Sequence, residues 1–114
     1  MLIAPLPHRV QEVEVNGKHP FGRWLGSLKD AQGKAAIIAR IRRIEIAGNF
    51  GTYRYLTQGV FELKIAVGQG YRVYFGLQQG FVVLLLLGGN KSTQERDISK
   101  ATRLWQEYLD SLKG

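Results

Sequence analysis

The sequence predicts an α+β fold with elements in the order β-α-α-β-β-β-α. Three observations carry that expectation. The apolar spacing changes near Val60, from the roughly 3.6-residue period of a helix face to the 2-residue period of a strand. The two early helical segments stand together rather than alternating with strands, unlike a doubly wound sheet. Residues 81–87 are apolar throughout, as suits an interior strand covered on both faces.

Val10, Val13 and Val15 among Gln11, Glu12 and Glu14 mark a short strand over 9–15, closed by the turn signal Asn16-Gly17. Pro20 suits a first helical turn, where the missing N–H has no partner to lose. Phe21, Trp24, Leu25 and Leu28 follow at helical spacing, and Gly22 and Gly26 keep this helix short. Gly33 separates it from a second helix over 34–47 with the stripe Ile37, Ile38, Ile41 and Ile44. Gly48 is placed to close that helix, and Asn49-Phe50-Gly51 to turn the chain. No element is assigned between Gly51 and Val60. Phe61, Leu63, Ile65 and Val67 then alternate with Glu62, Lys64 and Ala66. Across the Gly68-Gln69-Gly70 hairpin loop, Tyr71, Val73 and Phe75 alternate with Arg72 and Tyr74. Gln78-Gln79-Gly80 turns the chain into the interior strand, and Gly88-Gly89-Asn90 reads as the end of the sheet. Ser92 as N-cap with Glu95 three residues on fits a capping box. A stripe of Ile98, Ala101, Leu104, Trp105, Tyr108, Leu109 and Leu112 follows on the last helix.

A chain of 114 residues with 45% hydrophobic content fits one compact domain over 1–114. Lys plus Arg number 16 against 9 for Asp plus Glu, a net charge of +7 that favours polyanions or an acidic protein as partner. The absence of cysteine excludes disulfides, thiolate metal sites and thiol nucleophiles. His8 and His19 lack a second ligand at metal spacing. No nucleophile elbow and no P-loop occur. No metal and no cofactor are expected. The start has no basic n-region and is broken by Pro5 and Pro7, unlike a signal peptide. The longest apolar run, 81–87, falls far short of the roughly 20 residues that span a bilayer. The expectation is a cytoplasmic protein without a membrane partner.

Lys64 and Arg72 stand on adjacent antiparallel strands with parity for a shared face. If Phe61, Leu63, Ile65, Tyr71, Val73 and Phe75 pack on the helices, both cations face outward. Tyr74 then stands beside them, placed to stack on a base, and Glu62 is placed to pair with either cation. A solvated sheet face and a phosphate-binding face both fit this pattern. Cleavage of RNA needs no metal when the 2′-hydroxyl is the nucleophile. It needs a base for that proton, cations for the charge on phosphorus, and an acid for the leaving oxygen. Arginine holds two phosphate oxygens in its planar fork, and lysine supplies a point charge or a proton carrier. Lys64, Arg72, Lys91 and Asp97 are the candidate catalytic residues.

These segments resemble the RelE/ParE toxin superfamily, in particular its HigB-like branch of addiction module killer proteins. The matching motifs are Gly48-Asn49-Phe50-Gly51, Gly59-Val60-Phe61-Glu62-Leu63-Lys64-Ile65 and Gly70-Tyr71-Arg72-Val73-Tyr74-Phe75. Gly88-Gly89-Asn90-Lys91-Ser92-Thr93-Gln94 follows, with Asp97-Ile98 and Ala101. The likeness runs from about Phe21 to Leu109. It implies a twisted antiparallel sheet packed by two N-terminal helices and one C-terminal helix. It implies a toxin that cleaves mRNA on the ribosome without metal, neutralised by an antitoxin of helix-turn-helix type encoded beside it. Arg72 falls on the family's phosphate-contacting strand arginine, Lys64 near a strand lysine for proton transfer or charge stabilisation, and Lys91 on a basic position after the last strand. Where some active members carry a tyrosine, this chain has Asp97. The resemblance also makes Arg40, Arg43 and Arg54 candidate RNA-binding residues beside Tyr74, with Arg42 near them. Two alternatives stay open: a ParE-like toxin that inhibits DNA gyrase without nuclease chemistry, and a domain that only binds its antitoxin.

Overall fold

The computed structural model describes residues 3 and 5–113. The chain runs β1 (Arg9–Glu12), α1 (Pro20–Ser27), α2 (Ala31–Ala47), β2 (Tyr53–Thr57), β3 (Val60–Ile65), β4 (Tyr71–Gln78) and β5 (Val82–Asn90). A 3-10 turn, Lys91–Thr93, then leads into α3 (Gln94–Ser111). The class is α+β, with five strands in the order β1-β5-β4-β3-β2. No helix among the described residues is long and apolar enough to cross a membrane.

The sheet is mixed rather than wholly antiparallel. β2 to β5 pair antiparallel, whereas β1 pairs parallel with β5. A short turn forces antiparallel pairing only on the strands it joins. β1 and β5 are joined by most of the chain, so no hairpin dictates their relative direction.

Both faces of the sheet are covered. Phe61, Leu63, Ile65, Tyr71, Val73 and Phe75 face Phe21 of α1 and Ile37 and Ile44 of α2. Phe50, on the α2–β2 connection, stacks on Phe75 with ring centroids 5.6 Å apart. On the opposite face Val60, Tyr74, Leu84 and Leu86 pack on Ala101, Leu104 and Trp105 of α3. Each fully buried large apolar side chain contributes about 1.5–3 kcal/mol, so α3 is held by its stripe rather than by helix propensity.

Besides β1, which ends at Glu12 rather than at Val15, four boundaries depart from the sequence reading, and three of them concern polar or glycine residues used for contact. α2 begins at Ala31, because Asp30 caps it by accepting a hydrogen bond from the Gly33 N–H at 3.0 Å. Gly33 lies inside the helix, where a Cβ would collide with the Tyr71 ring. β5 continues through Gly88 and Gly89 for the same kind of reason: Trp24 lies against Gly88 and the Asp97 carboxylate against Gly89. The cap before α3 is Asn90 with Thr93, not Ser92 with Glu95. The Asn90 carboxamide oxygen accepts from the Ser92 N–H, and the Thr93 hydroxyl accepts from the Asn90 N–H. The fourth departure is β2, an edge strand in the stretch to which no element is assigned from sequence.

Candidate functional site

The β3–β4 register makes Lys64 and Arg72 direct cross-strand neighbours, and Glu62 and Tyr74 likewise. On a strand, alternate residues share a face, so all four side chains lie opposite the Phe61–Leu63–Val73–Phe75 layer. β2 extends the row, with Arg54 paired to Glu62. On the far side of Arg72 stands Gly89, whose missing side chain admits the Asp97 carboxylate. Two rows thus cross the sheet: Arg54, Glu62, Tyr74 and Leu87, then Lys64, Arg72 and Gly89 beneath Asp97.

These rows open into a cleft of about 360 Å³ lined by Thr52, Tyr53, Arg54, Glu62, Lys64, Arg72 and Gln94. Glu62 is its organising anion and is 2% exposed. One carboxylate oxygen accepts from Arg54 Nε at 2.9 Å. The other accepts from Gln94 Nε2 at 2.8 Å and stands 4.0 Å from Arg72 Nε. Burial of a charge requires partners of this kind. Lys64 is exposed and forms no ion pair among the described residues. The cleft therefore presents one free ammonium at its mouth, one half-solvated guanidinium at its edge and one buried guanidinium in its wall.

Several candidate residues sit differently from the sequence expectation. Arg72 shares the Lys64 face but is only 7% exposed, because Gln94 and the start of α3 close over that end of the sheet. Its Nε is buried without a hydrogen bond. Tyr74 is fully buried under α3, not presented for stacking on a base. The outward face expected for both is thus a covered face. Burial, then the neighbouring Glu62 and Asp97 carboxylates, raise the Tyr74 phenol well above its ordinary pKa. Its hydroxyl makes no hydrogen bond. Asp97 is also buried; its Oδ2 accepts from the Thr93 hydroxyl at 2.5 Å, and Arg96 Nε lies 3.9 Å from Oδ1.

The remaining candidates lie around the cleft rather than in it. Arg40 donates to the Phe50 and Thr52 carbonyls at 3.2 and 3.3 Å, tying α2 to the cleft's edge. Burial and the neighbouring Arg43 lower its pKa from the ordinary value. Arg43 is exposed on α2. Lys91 is exposed in an adjoining hollow formed by residues 91–96, with its backbone N–H on the Gly70 carbonyl. Sequence parity had already put Glu62 on the cation face, but its main partner is Arg54, on a strand the sequence does not announce. Gln94 has no sequence signal as a partner of Glu62, since only the packing of α3 brings it there.

No family model matches the chain. It is 47% identical over 95 residues to an uncharacterized protein of Haemophilus influenzae (strain ATCC 51907 / DSM 11121 / KW20 / Rd). That match covers 83% of this chain and 95% of the Haemophilus influenzae protein. With that identity over nearly the whole of the relative, the chain belongs to the same protein family as the Haemophilus influenzae protein.

Proposed function

We propose that this chain is a RelE-like toxin: a ribosome-dependent, metal-independent endoribonuclease that cleaves mRNA in the cytoplasm. A helix-turn-helix antitoxin neutralises it. The observation that carries the reading is the cross-strand pair Lys64–Arg72 in one cleft with Arg54. The ordered motifs from Gly48 to Ala101 and the helix-covered sheet support it.

In this reading the scissile phosphate enters the cleft mouth. Lys64 and Arg54 meet its non-bridging oxygens, and Arg72 strengthens the positive field from the wall. The 2′-oxygen attacks phosphorus and the bond to the 5′-oxygen breaks. The products are a 2′,3′-cyclic phosphate and a 5′-hydroxyl end. The 2′-hydroxyl proton passes to water at the cleft mouth, and the Lys64 ammonium delivers a proton to the leaving oxygen; Glu62, buried and held by Arg54 and Gln94, positions the arginines without touching RNA. Asp97 acts by holding the Gly89 edge, not by touching RNA.

Expression of the chain alone, followed by mapping of 5′-hydroxyl transcript ends, tests this. New ends inside coding sequences are expected, reduced at least about tenfold by Lys64→Ala, roughly the loss of one charge-stabilising contact. Lys64 is exposed, so that loss is not a folding effect. Absence of new ends with the wild-type chain overturns the reading. The buried state of Glu62, Arg72, Tyr74 and Asp97 leaves few groups for proton transfer and favours one second reading, a ParE-like toxin acting on DNA gyrase. Inhibited supercoiling without new RNA ends supports that alternative.

A further inference from the structure

A second groove, of about 670 Å³, lies between α1 and α3. Trp24, Leu87 and Leu104 give it an apolar floor. Trp24 is half-buried, with its indole against Gly88, where a Cβ would collide with the ring. Residues 86–89 are buried, so the edge of β5 behind the groove is closed. Lys18 and Arg23 stand on the α1 side and Arg96 and Lys100 on α3, all exposed. The one acid in the lining, Asp97, is buried and held by Thr93 and Arg96.

The groove is continuous with the cleft. Gln94 lines both the cleft and the hollow formed by residues 91–96, and Arg96 lines both that hollow and the groove. Lys91 is exposed in the hollow between them. Glu95 is the one exposed acid in the lining of hollow and groove. The path from Gln94 to Lys100 is about 9 Å along the helix axis, at about 1.5 Å per residue. Cations crowded along one path repel one another, and a polyanion lying on it relieves that repulsion.

We infer that this groove is a second RNA subsite. The strand whose scissile phosphate occupies the cleft continues over the start of α3. Its phosphates meet Lys91, Arg96 and Lys100, and one base stacks on Trp24 with Arg23 across the groove. Every base has a π-face, so stacking on an aromatic ring tolerates any sequence. The subsite therefore adds a preference for length rather than for sequence. An acidic peptide satisfies the same cations but has no group to carry it on into the cleft; the continuity of the path favours a nucleic-acid strand. The inference rests on the reading of the cleft as an RNA site.

The test titrates two 2′-O-methyl oligoribonucleotides, of about four and about twelve nucleotides, into the full chain. The methyl group removes the nucleophile, so binding is read without cleavage. The longer probe is expected to bind at least about tenfold more tightly, within what stacking of one base contributes, and to quench Trp24 fluorescence. Trp105 is buried, and Trp24→Phe assigns the signal. Arg23→Ala with Lys100→Ala removes most of that advantage at an unchanged melting temperature. The same variant flattens the slope of log affinity against log salt by about 1.4, at about 0.7 for each cation lost. Lys64→Ala weakens both probes. Equal affinity for the two probes, an unquenched Trp24, a salt slope indifferent to the double variant, or poly-glutamate competing on equal terms overturns the inference. Failure of the cleavage reading is told apart by transcript ends. Length-dependent binding reported by Trp24, without new ends, supports the subsite and removes the nuclease. New ends together with equal affinity for the two probes remove the subsite alone.

Discussion

Replacing Glu62 by alanine strips the cleft of the anion that its arginines share. Arg54 has a side chain 60% exposed, so its ion pair contributes under about 1 kcal/mol. The pairing with Arg72 is different, because the two side chains are 3% and 8% exposed and 4.0 Å apart. At an effective dielectric of about 20, that separation corresponds to roughly 4 kcal/mol of attraction before desolvation is counted. Removing Glu62 leaves the Arg72 guanidinium buried without its counter-charge, which costs about 3–5 kcal/mol. An unfolding entropy of about 2.1 cal/mol/K per residue over 114 residues converts about 3 kcal/mol into a melting temperature lower by about 12 °C. Arg54→Ala, by the same conversion, lowers it by less than about 4 °C. Thermal and urea melts measure both. The double variant Glu62→Leu with Arg72→Met removes both charges together and is expected to cost less than the two single changes summed, Glu62→Leu and Arg72→Met. A Glu62→Ala shift below about 4 °C, or single costs that add within about 0.5 kcal/mol, refutes the assignment of Glu62 as the buried counter-ion of Arg72.

Tyr74→Phe removes a buried hydroxyl that has no hydrogen-bond partner, and a gain of about 1 kcal/mol is expected in urea melts near neutral pH. The raised phenol pKa in the folded state adds a pH signature. The stabilisation is fully present below the unfolded tyrosine pKa of about 10 and is lost as pH rises through the higher folded value. Tyr74→Phe should therefore lose less stability than wild type between about pH 9 and 11; an identical alkaline slope counts against the burial of this phenol. Gly76→Ala places a methyl where the Trp105 indole lies and should cost about 1–3 kcal/mol by overpacking. Gly26→Ala, on α1 with open space around it, should gain up to about 1 kcal/mol from backbone entropy. Thermal melts that show equal effects at the two glycines contradict the docking of α3 on β4.

Local pattern alone determined most of the elements of this protein. Phe61, Leu63 and Ile65 against Tyr71, Val73 and Phe75 define a strand face by parity, because side chains alternate whatever the tertiary context. That parity also placed Lys64, Arg72 and Glu62 on one face, and the register made Lys64 and Arg72 direct partners. The apolar stripe from Ile98 to Leu109 likewise announced α3, since a helix face must be buried somewhere. What parity cannot say is whether a face meets water or another layer. Only the docking of α3 decided that Arg72, Tyr74 and Asp97 are buried while Lys64 stays exposed. The glycines misled for a related reason. Gly33, Gly88 and Gly89 have the composition of breaks, yet each admits a side chain from another element: Tyr71, Trp24 and Asp97. The parallel pairing of β1 with β5 depends on contacts between distant parts of the chain. Such contacts have no local signature, because they are set by which surfaces remain to be covered once the hairpins and helices have formed.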